Sequence, residues 1–216
     1  MIRAVIFDFD GVILQSAGIK TEAFRELFHE DFPGHLQKIM DYHRANMGIS
    51  RHVKFRAIYD GILHLPLSLE EERRLGQRFK DLVYRKMLKA PFTPGAFEFI
   101  KRRSGRYAFF IASGAPLEEL RAIVKERKIE GYFREIHGSP AVKEDMIHDI
   151  LSRHGWGPEE AVFIGDAESD QRAAKSARVR FIGCVGEDPS ALKHCDRFLR
   201  DLTDLDGVLS CLQEET

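Results

Sequence analysis

The 216-residue chain is 44% hydrophobic and 31% charged, a balance that excludes a disordered or fibrous protein and leaves room for one core domain carrying a smaller inserted one. Its 33 Lys and Arg against 34 Asp and Glu give a formal net charge of −1, which excludes a global field drawing it to nucleic acid or to an anionic membrane. The three cysteines, Cys184, Cys195 and Cys211, have no close pairing, so a reducing cytoplasm is expected rather than a secreted disulfide framework or a structural zinc site.

The apolar run Ala4-Val5-Ile6-Phe7 is preceded by Arg3 and followed by acids at Asp8 and Asp10. That pattern excludes a signal peptide or membrane span and predicts a short strand buried on both faces of a parallel sheet. Residues 16–90 then offer helical segments and no convincing strand. The clearest helix opens with a capping box, Ser68-Leu69-Glu70-Glu71, and runs to about Leu88 before Pro91 forbids continuation. From residue 93 onward strand and helix alternate. Apolar runs at 107–112, 161–164 and 180–185 are separated by helical patterns over 94–103, 116–127 and 141–153, with Pro94 and Pro116 at first helical positions. The alternation predicts an α/β fold with a doubly wound parallel sheet, formed by residues 1–15 and 91–216, whose ligands sit outside the carboxyl ends of the strands. Residues 16–90 read as a small all-helical insertion. Its two connections, near residues 14–18 and 89–94, suit a hinged lid.

Four short stretches carry residue types suited to chemistry. In Asp8-Phe9-Asp10-Gly11 the two acids, two apart in extended backbone, face one small volume, and Gly11 permits the turn that follows. Such a pair can ligate a hard cation, and one member can serve as nucleophile while the other handles a proton. Taken singly, the stretch is equally an acidic turn capping a strand. The run Val162 through Asp170 repeats the arrangement, with Asp166 and Asp170 after an apolar strand, although either Ser169 or Asp170 also suits a helix cap. Adjacent strands would bring Asp8 and Asp166 around one divalent ion, and a set of few carboxylates favours magnesium. Ser113-Gly114 ends a strand just before a helix, where a hydroxyl and free amides suit a phosphate, or where Ser113 merely caps the helix. Lys143, early in a helix, is a solvated lysine or the fixed cation that a transferring phosphoryl group needs.

In order and spacing, Asp8-Phe9-Asp10-Gly11, Ser113, Lys143 and Gly165-Asp166 through Asp170 resemble the four motifs of the haloacid dehalogenase superfamily. The insertion resembles the helical cap of its phosphoglycolate phosphatase-like and β-phosphoglucomutase-like members. The resemblance implies a magnesium-dependent phosphatase acting on a small-molecule phosphomonoester. In it, Asp8 is the nucleophile that becomes an aspartyl-phosphate, and Asp10 protonates the leaving oxygen and then activates water. The magnesium ion is held by the Asp8 carboxylate, the Asp10 carbonyl and Asp166, with Asp170 in support. Ser113 and the Gly114 amide hold phosphate oxygens, and Lys143 neutralises the nucleophile and the transferred group. A phosphomutase on a sugar phosphate is the nearest alternative, and a catalytically silent binding module on the same fold is another. A carbon–halogen hydrolase is disfavoured, because it needs neither magnesium nor Asp10.

Three departures from the family pattern stand out. Gln15 replaces the acid that often precedes the serine, no proline follows Lys143, and Glu168 adds an acid inside the fourth motif. Within the insertion, Lys38, Arg44, Arg51, Lys54 and Arg56 face one acid, Asp41, giving a local charge of +4. Gly48-Ile49-Ser50 reads as a loop and cap that start a helix at Arg51. Arg44 and Arg51 are the candidates for holding a second acidic group of the substrate, against the plainer reading of a solvated helix face. No nucleic-acid or membrane partner is expected, and the chain is read as a monomer or homodimer.

Overall fold

Four consecutive residues with no solvent exposure, Ala4–Phe7, form the first strand, β1. In the computed structural model, which describes residues 1–46, 50–186, 192 and 195–214, β1 lies in the middle of a parallel sheet. The other strands are β2 (Ala108–Pro116), β3 (Phe133–Ser139), β4 (Ala161–Gly165), β5 (Arg180–Cys184) and β6 (Phe198–Leu199), in the order β3-β2-β1-β4-β5-β6. The chain leaves β1 for β2 and β3 on one side, then returns to β4 on the other. This is the reversal of strand order that opens a crevice at the carboxyl ends of the two neighbours. Register places Phe7 beside both Ile111 and Ile164, so the residues following β1 and β4 emerge side by side.

Both faces of the sheet are covered, by α5 (Ala96–Arg103), α6 (Leu117–Glu126), α7 (Lys143–His154) and α8 (Glu168–Ser176), while α9 (Leu205–Glu214) is tied to α5 through Asp206, which pairs with Arg102 and Arg103. Alternate strand residues point to opposite faces. Ile6, Phe110 and Phe163 join Ile147, Ile150 and Ala174 in one buried cluster, while Phe7 meets Phe99 and Phe109 at 6.3 and 5.6 Å between ring centres. A continuous apolar run is therefore required in β1, because neither face reaches water.

Several predicted boundaries move. The strand expected at 107–112 continues to Pro116 through a register shift after Ala112. Pro116 consequently caps α6 from outside, and α5 begins at Ala96, so neither Pro94 nor Pro116 occupies a first helical position. β3 and β6 were not predicted. β3 is an edge strand paired only with β2, half-exposed along most of its length, so its sequence lacks the apolar run that marks the central strands.

The chain divides into two compact units, Met1–Gln15 with Ala90–Thr216, and Ser16–Lys89. The second is helical: α1 (Ile19–His29), α2 (Leu36–Ala45), α3 (Arg51–Ile58), which runs on into a π turn at Tyr59–Leu63, and α4 (Leu69–Lys89). Its interior is aromatic, with the Phe24 ring 5.8 Å from Phe55 and 5.7 Å from Phe79. α4 starts as its capping box implies on one side, since the Ser68 hydroxyl accepts from the Glu71 amide at 3.1 Å, while the Glu71 carboxylate accepts from Arg74 instead. α3 begins at Arg51 directly after Ser50; Gly48 and Ile49 lie outside the described residues. Among the described residues no helix is long and apolar enough to cross a membrane.

Candidate active site

At the crevice between β1 and β4, carboxylate oxygens of Asp8, Asp166 and Asp170 all lie within 4.8 Å of one another. Backbone geometry accounts for this. The Asp8 amide donates to the Ile164 carbonyl at 2.8 Å, continuing the ladder one residue beyond β1. The chain then turns back tightly, with the Gly11 amide donating to the Leu14 carbonyl at 2.9 Å. Gly11 has φ +80, and a Cβ there would fall 2.0 Å from Asp166 Oδ2. Likewise a Cβ on Gly165 would fall 2.3 Å from that of Asp170. Each glycine is the absent side chain that lets a carboxylate of the fourth motif approach, a role that the sequence reading did not assign.

Asp8 is 4% exposed and Asp170 is fully buried. Asp8 Oδ1 accepts from the Phe9 amide at 2.7 Å, and Oδ2 lies 2.9 Å from Lys143 Nζ. Lys143 is the first residue of α7, where the side chain projects back past the helix start, and its ammonium also donates to Asp170 Oδ1. Asp170 Oδ2 accepts from the amides of Asp166 and Ala167 at 3.2 and 3.1 Å. Asp170 thus caps α8 and at the same time anchors Lys143 and the backbone that carries Asp166.

Burial pushes the Asp8 carboxyl from its ordinary 3.8 up to about 6, against the attraction of Lys143 and with repulsion from Asp170 and Asp10. Asp166 is pushed from 3.8 to about 7, first by burial and then by Asp8 and Asp170. Burial works to lower the Lys143 pKa, but Asp8 and Asp170 outweigh it and raise it to about 12. One ammonium therefore stands among three closely spaced carboxylates, and the site has an excess of negative charge that a divalent cation would offset. This donor set, all oxygen and partly pre-positioned, fits magnesium.

The half-buried Asp10 is not one of the three clustered carboxylates, although its charge acts on both Asp8 and Asp166. Ser113 is 1% exposed, its hydroxyl 3.3 Å from the Ala115 amide, in the bulged stretch that ends β2; Gly114 is exposed. Glu168 is solvated, its side chain 65% exposed and 3.5 Å from Arg172. A cleft of about 460 Å³ is bordered by Gly11, Gln15, Thr93 and Arg200. A larger one, about 690 Å³, is lined by Arg172, Lys175 and Arg180 and includes none of the carboxylates; the chemistry of the donors marks the site, not cleft size. Arg44 and Arg51 belong to the helical unit. Arg44 pairs with Asp41 at 3.0 Å, both half-exposed, and the Arg51 guanidinium lies 5.2 Å from the centre of the Phe79 ring.

Residues 5–184 match the family described as haloacid dehalogenase-like hydrolase. The chain is 28% identical over 190 residues to a phosphorylated carbohydrates phosphatase of Thermotoga maritima, covering 85% of each protein. It is 27% identical over 187 residues to phosphoglycolate phosphatase 1 of Pseudomonas aeruginosa, covering 82% of this chain and 67% of that one. In fold it resembles a haloacid dehalogenase-like family hydrolase of Streptococcus pneumoniae, with a TM-score of 0.71 at 22% identity over 96% of this chain and 98% of that one.

Proposed function

The chain belongs to the haloacid dehalogenase-like hydrolase family, and from that premise we propose that it is a magnesium-dependent phosphatase that cleaves a small-molecule phosphomonoester through an aspartyl-phosphate on Asp8. The observation that carries this reading is the meeting of Asp8, Asp166 and Asp170 within 4.8 Å, with Lys143 2.9 Å from Asp8.

In the first step an Asp8 carboxylate oxygen forms a bond to phosphorus as the bond to the leaving oxygen breaks in line, and Asp10 gives that oxygen its proton. In the second, Asp10 takes a proton from water as the water oxygen attacks the same phosphorus, which frees Asp8 and releases inorganic phosphate. The Phe9 amide and the Lys143 ammonium fix the two Asp8 oxygens, so the nucleophile is oriented before substrate arrives. Ser113 and the Gly114 amide receive phosphoryl oxygens. Magnesium, held by Asp8, Asp166 and the Asp10 carbonyl with Asp170 in support, supplies charge neutralisation of the transferring group. Residues 16–89 serve as the cap, with Arg44 and Arg51 contacting substrate. The enzyme acts in the cytoplasm, as a monomer or homodimer, without a nucleic-acid or membrane partner.

Turnover of p-nitrophenyl phosphate with magnesium and with chelator, beside an Asp8→Asn control, tests this. Metal-dependent hydrolysis by the wild type alone is expected, and turnover no greater than that of the control would overturn it. Phosphorylated carbohydrates and phosphoglycolate, the compounds named for the two relatives, form the first substrate panel.

A further inference from the structure

The cleft of about 690 Å³ that holds none of the active-site carboxylates lies wholly within the core unit. Its volume falls inside the roughly 300–1,000 Å³ of sites that take small molecules. Four cations line it, Arg172, Lys175, Arg180 and Arg197, against one acid, Asp196. Four positive charges against one negative leave a local +3, in a chain whose formal net charge is −1. A concave surface lined by one sign of charge focuses its field on what enters it.

Three elements deliver these cations to one place. Arg172 and Lys175 are three apart on α8, so they share a face of the helix, and both are exposed. Arg180 is the first residue of β5, and its Nη1 donates to the Glu159 carbonyl at 2.8 Å, which fixes one edge of the guanidinium. Arg197 directly precedes β6, and its carbonyl accepts from the Gly183 amide at 2.9 Å, so its backbone is held at the sheet edge. Glu168 lies 3.5 Å from Arg172 with both side chains largely in water, a pairing that competes weakly with an incoming anion. The active site sits at the carboxyl ends of the strands, whereas this cleft sits at the amino end of β5.

The lining is apolar as well as basic. Val179 and Leu212 are buried, and the half-buried Phe181 packs edge-on against Phe163 at 6.2 Å between ring centres. An apolar wall beside clustered cations suits an anion that carries a flat apolar body, since guanidinium groups take oxyanions in a fork and stack on rings. Among the lining residues the one thiol, Cys195, donates to the Arg197 carbonyl at 2.8 Å, and Asp196 has no second acid beside it. The chemistry is that of binding and not of turnover.

We propose that this cleft is a second ligand site, taking a polyphosphate group whose several negative charges match the local excess of positive ones. The group is carried by a nucleoside, whose base lies on the apolar wall, or is free. The proposal does not rest on the phosphatase reading.

Isothermal titration of the whole chain with ADP and with tripolyphosphate, at fixed ionic strength and in chelator so that both probes stay free of metal, tests it. The variant carries Arg172→Gln and Lys175→Gln together, two exposed positions where glutamine keeps good helix propensity. Saturable binding to the wild type is expected, weakened about 10- to 100-fold in the variant. Any anion drawn to Lys143 or Ser113 is drawn in both proteins, so the difference reads the cleft alone. Should the pair of replacements fail to fold by circular dichroism, each single one is read in the same way. Tighter binding of ADP than of tripolyphosphate supports a nucleoside-borne group, and equal or weaker binding of ADP supports a free one. No saturable binding of either probe, affinities that the variant leaves unchanged, or binding confined to a single-stranded oligonucleotide would overturn the proposal.

Discussion

The two units bury charge in opposite ways. At the strand tips of the core, three carboxylates surround one lysine, each position set by backbone that leaves the sheet or starts a helix, and the local balance is negative. In the helical unit, Lys54 and His43 lie beside Phe24, whose ring packs with Phe55 and Phe79 from two other helices, and the local balance is positive. The acid cluster of the core is suited to a divalent cation, which would offset its excess charge.

The strongest way to break this comparison is Asp8→Asn, expected to lower turnover by at least about a thousandfold, as for other nucleophile replacements, with the fold intact by circular dichroism. Near-normal rates would remove Asp8 from its assigned role. Asp10→Asn should slow turnover by roughly 10²- to 10⁴-fold, the range for a lost general acid and base, while magnesium affinity read from the rate stays near wild type. On the helical side, Phe55 is fully buried, and Phe55→Ala should cost about 3–5 kcal/mol in denaturant unfolding; a smaller loss would show that the aromatic interior collapses around the gap.

pH sharpens the electrostatic contrast. Asp8 and Asp166 have folded-state values of about 6 and about 7 against an ordinary 3.8. The folded protein therefore holds these protons more tightly than the unfolded chain does. Their contribution to stability is complete below the ordinary value and is lost as pH rises through the folded ones. In chelator, wild type should lose more of its thermal midpoint between about pH 5 and about pH 8 than Asp166→Asn does, and magnesium, which needs ionised ligands, should recover the difference. Parallel curves would contradict the excess of buried negative charge. The smallest effect is reserved for Arg44→Ala. Its partner Asp41 is 60% exposed, so stability should change by no more than about 0.5 kcal/mol in denaturant unfolding, whereas its proposed substrate contact predicts a higher KM for the true substrate.

Legibility in the sequence followed burial. β1 and β4 are enclosed on both faces and stand out as unbroken apolar runs ending in acids, so both the fold class and the pair Asp8 and Asp166 could be read directly. β3 could not, because an edge strand with a half-wet face mixes polar and apolar residues as a loop does. Lys143 carries no local signal; its spacing in the family pattern, and not its surroundings in sequence, pointed to it. Asp170 was read as a cap or as support for the metal, and it acts as a cap and as a partner of Lys143 through different oxygens.

What the sequence determined by itself is the alternation of strand and helix, the helical insertion and the placing of acids at strand ends, because each follows from the period and chemistry of a few consecutive residues. What only the tertiary structure decided is which groups meet: Gly11 making room for Asp166, Lys143 bridging Asp8 and Asp170, and Lys54 confined beside His43. Those outcomes depend on strand order, register and helix packing, which bring together residues from different elements and which no short-range pattern encodes.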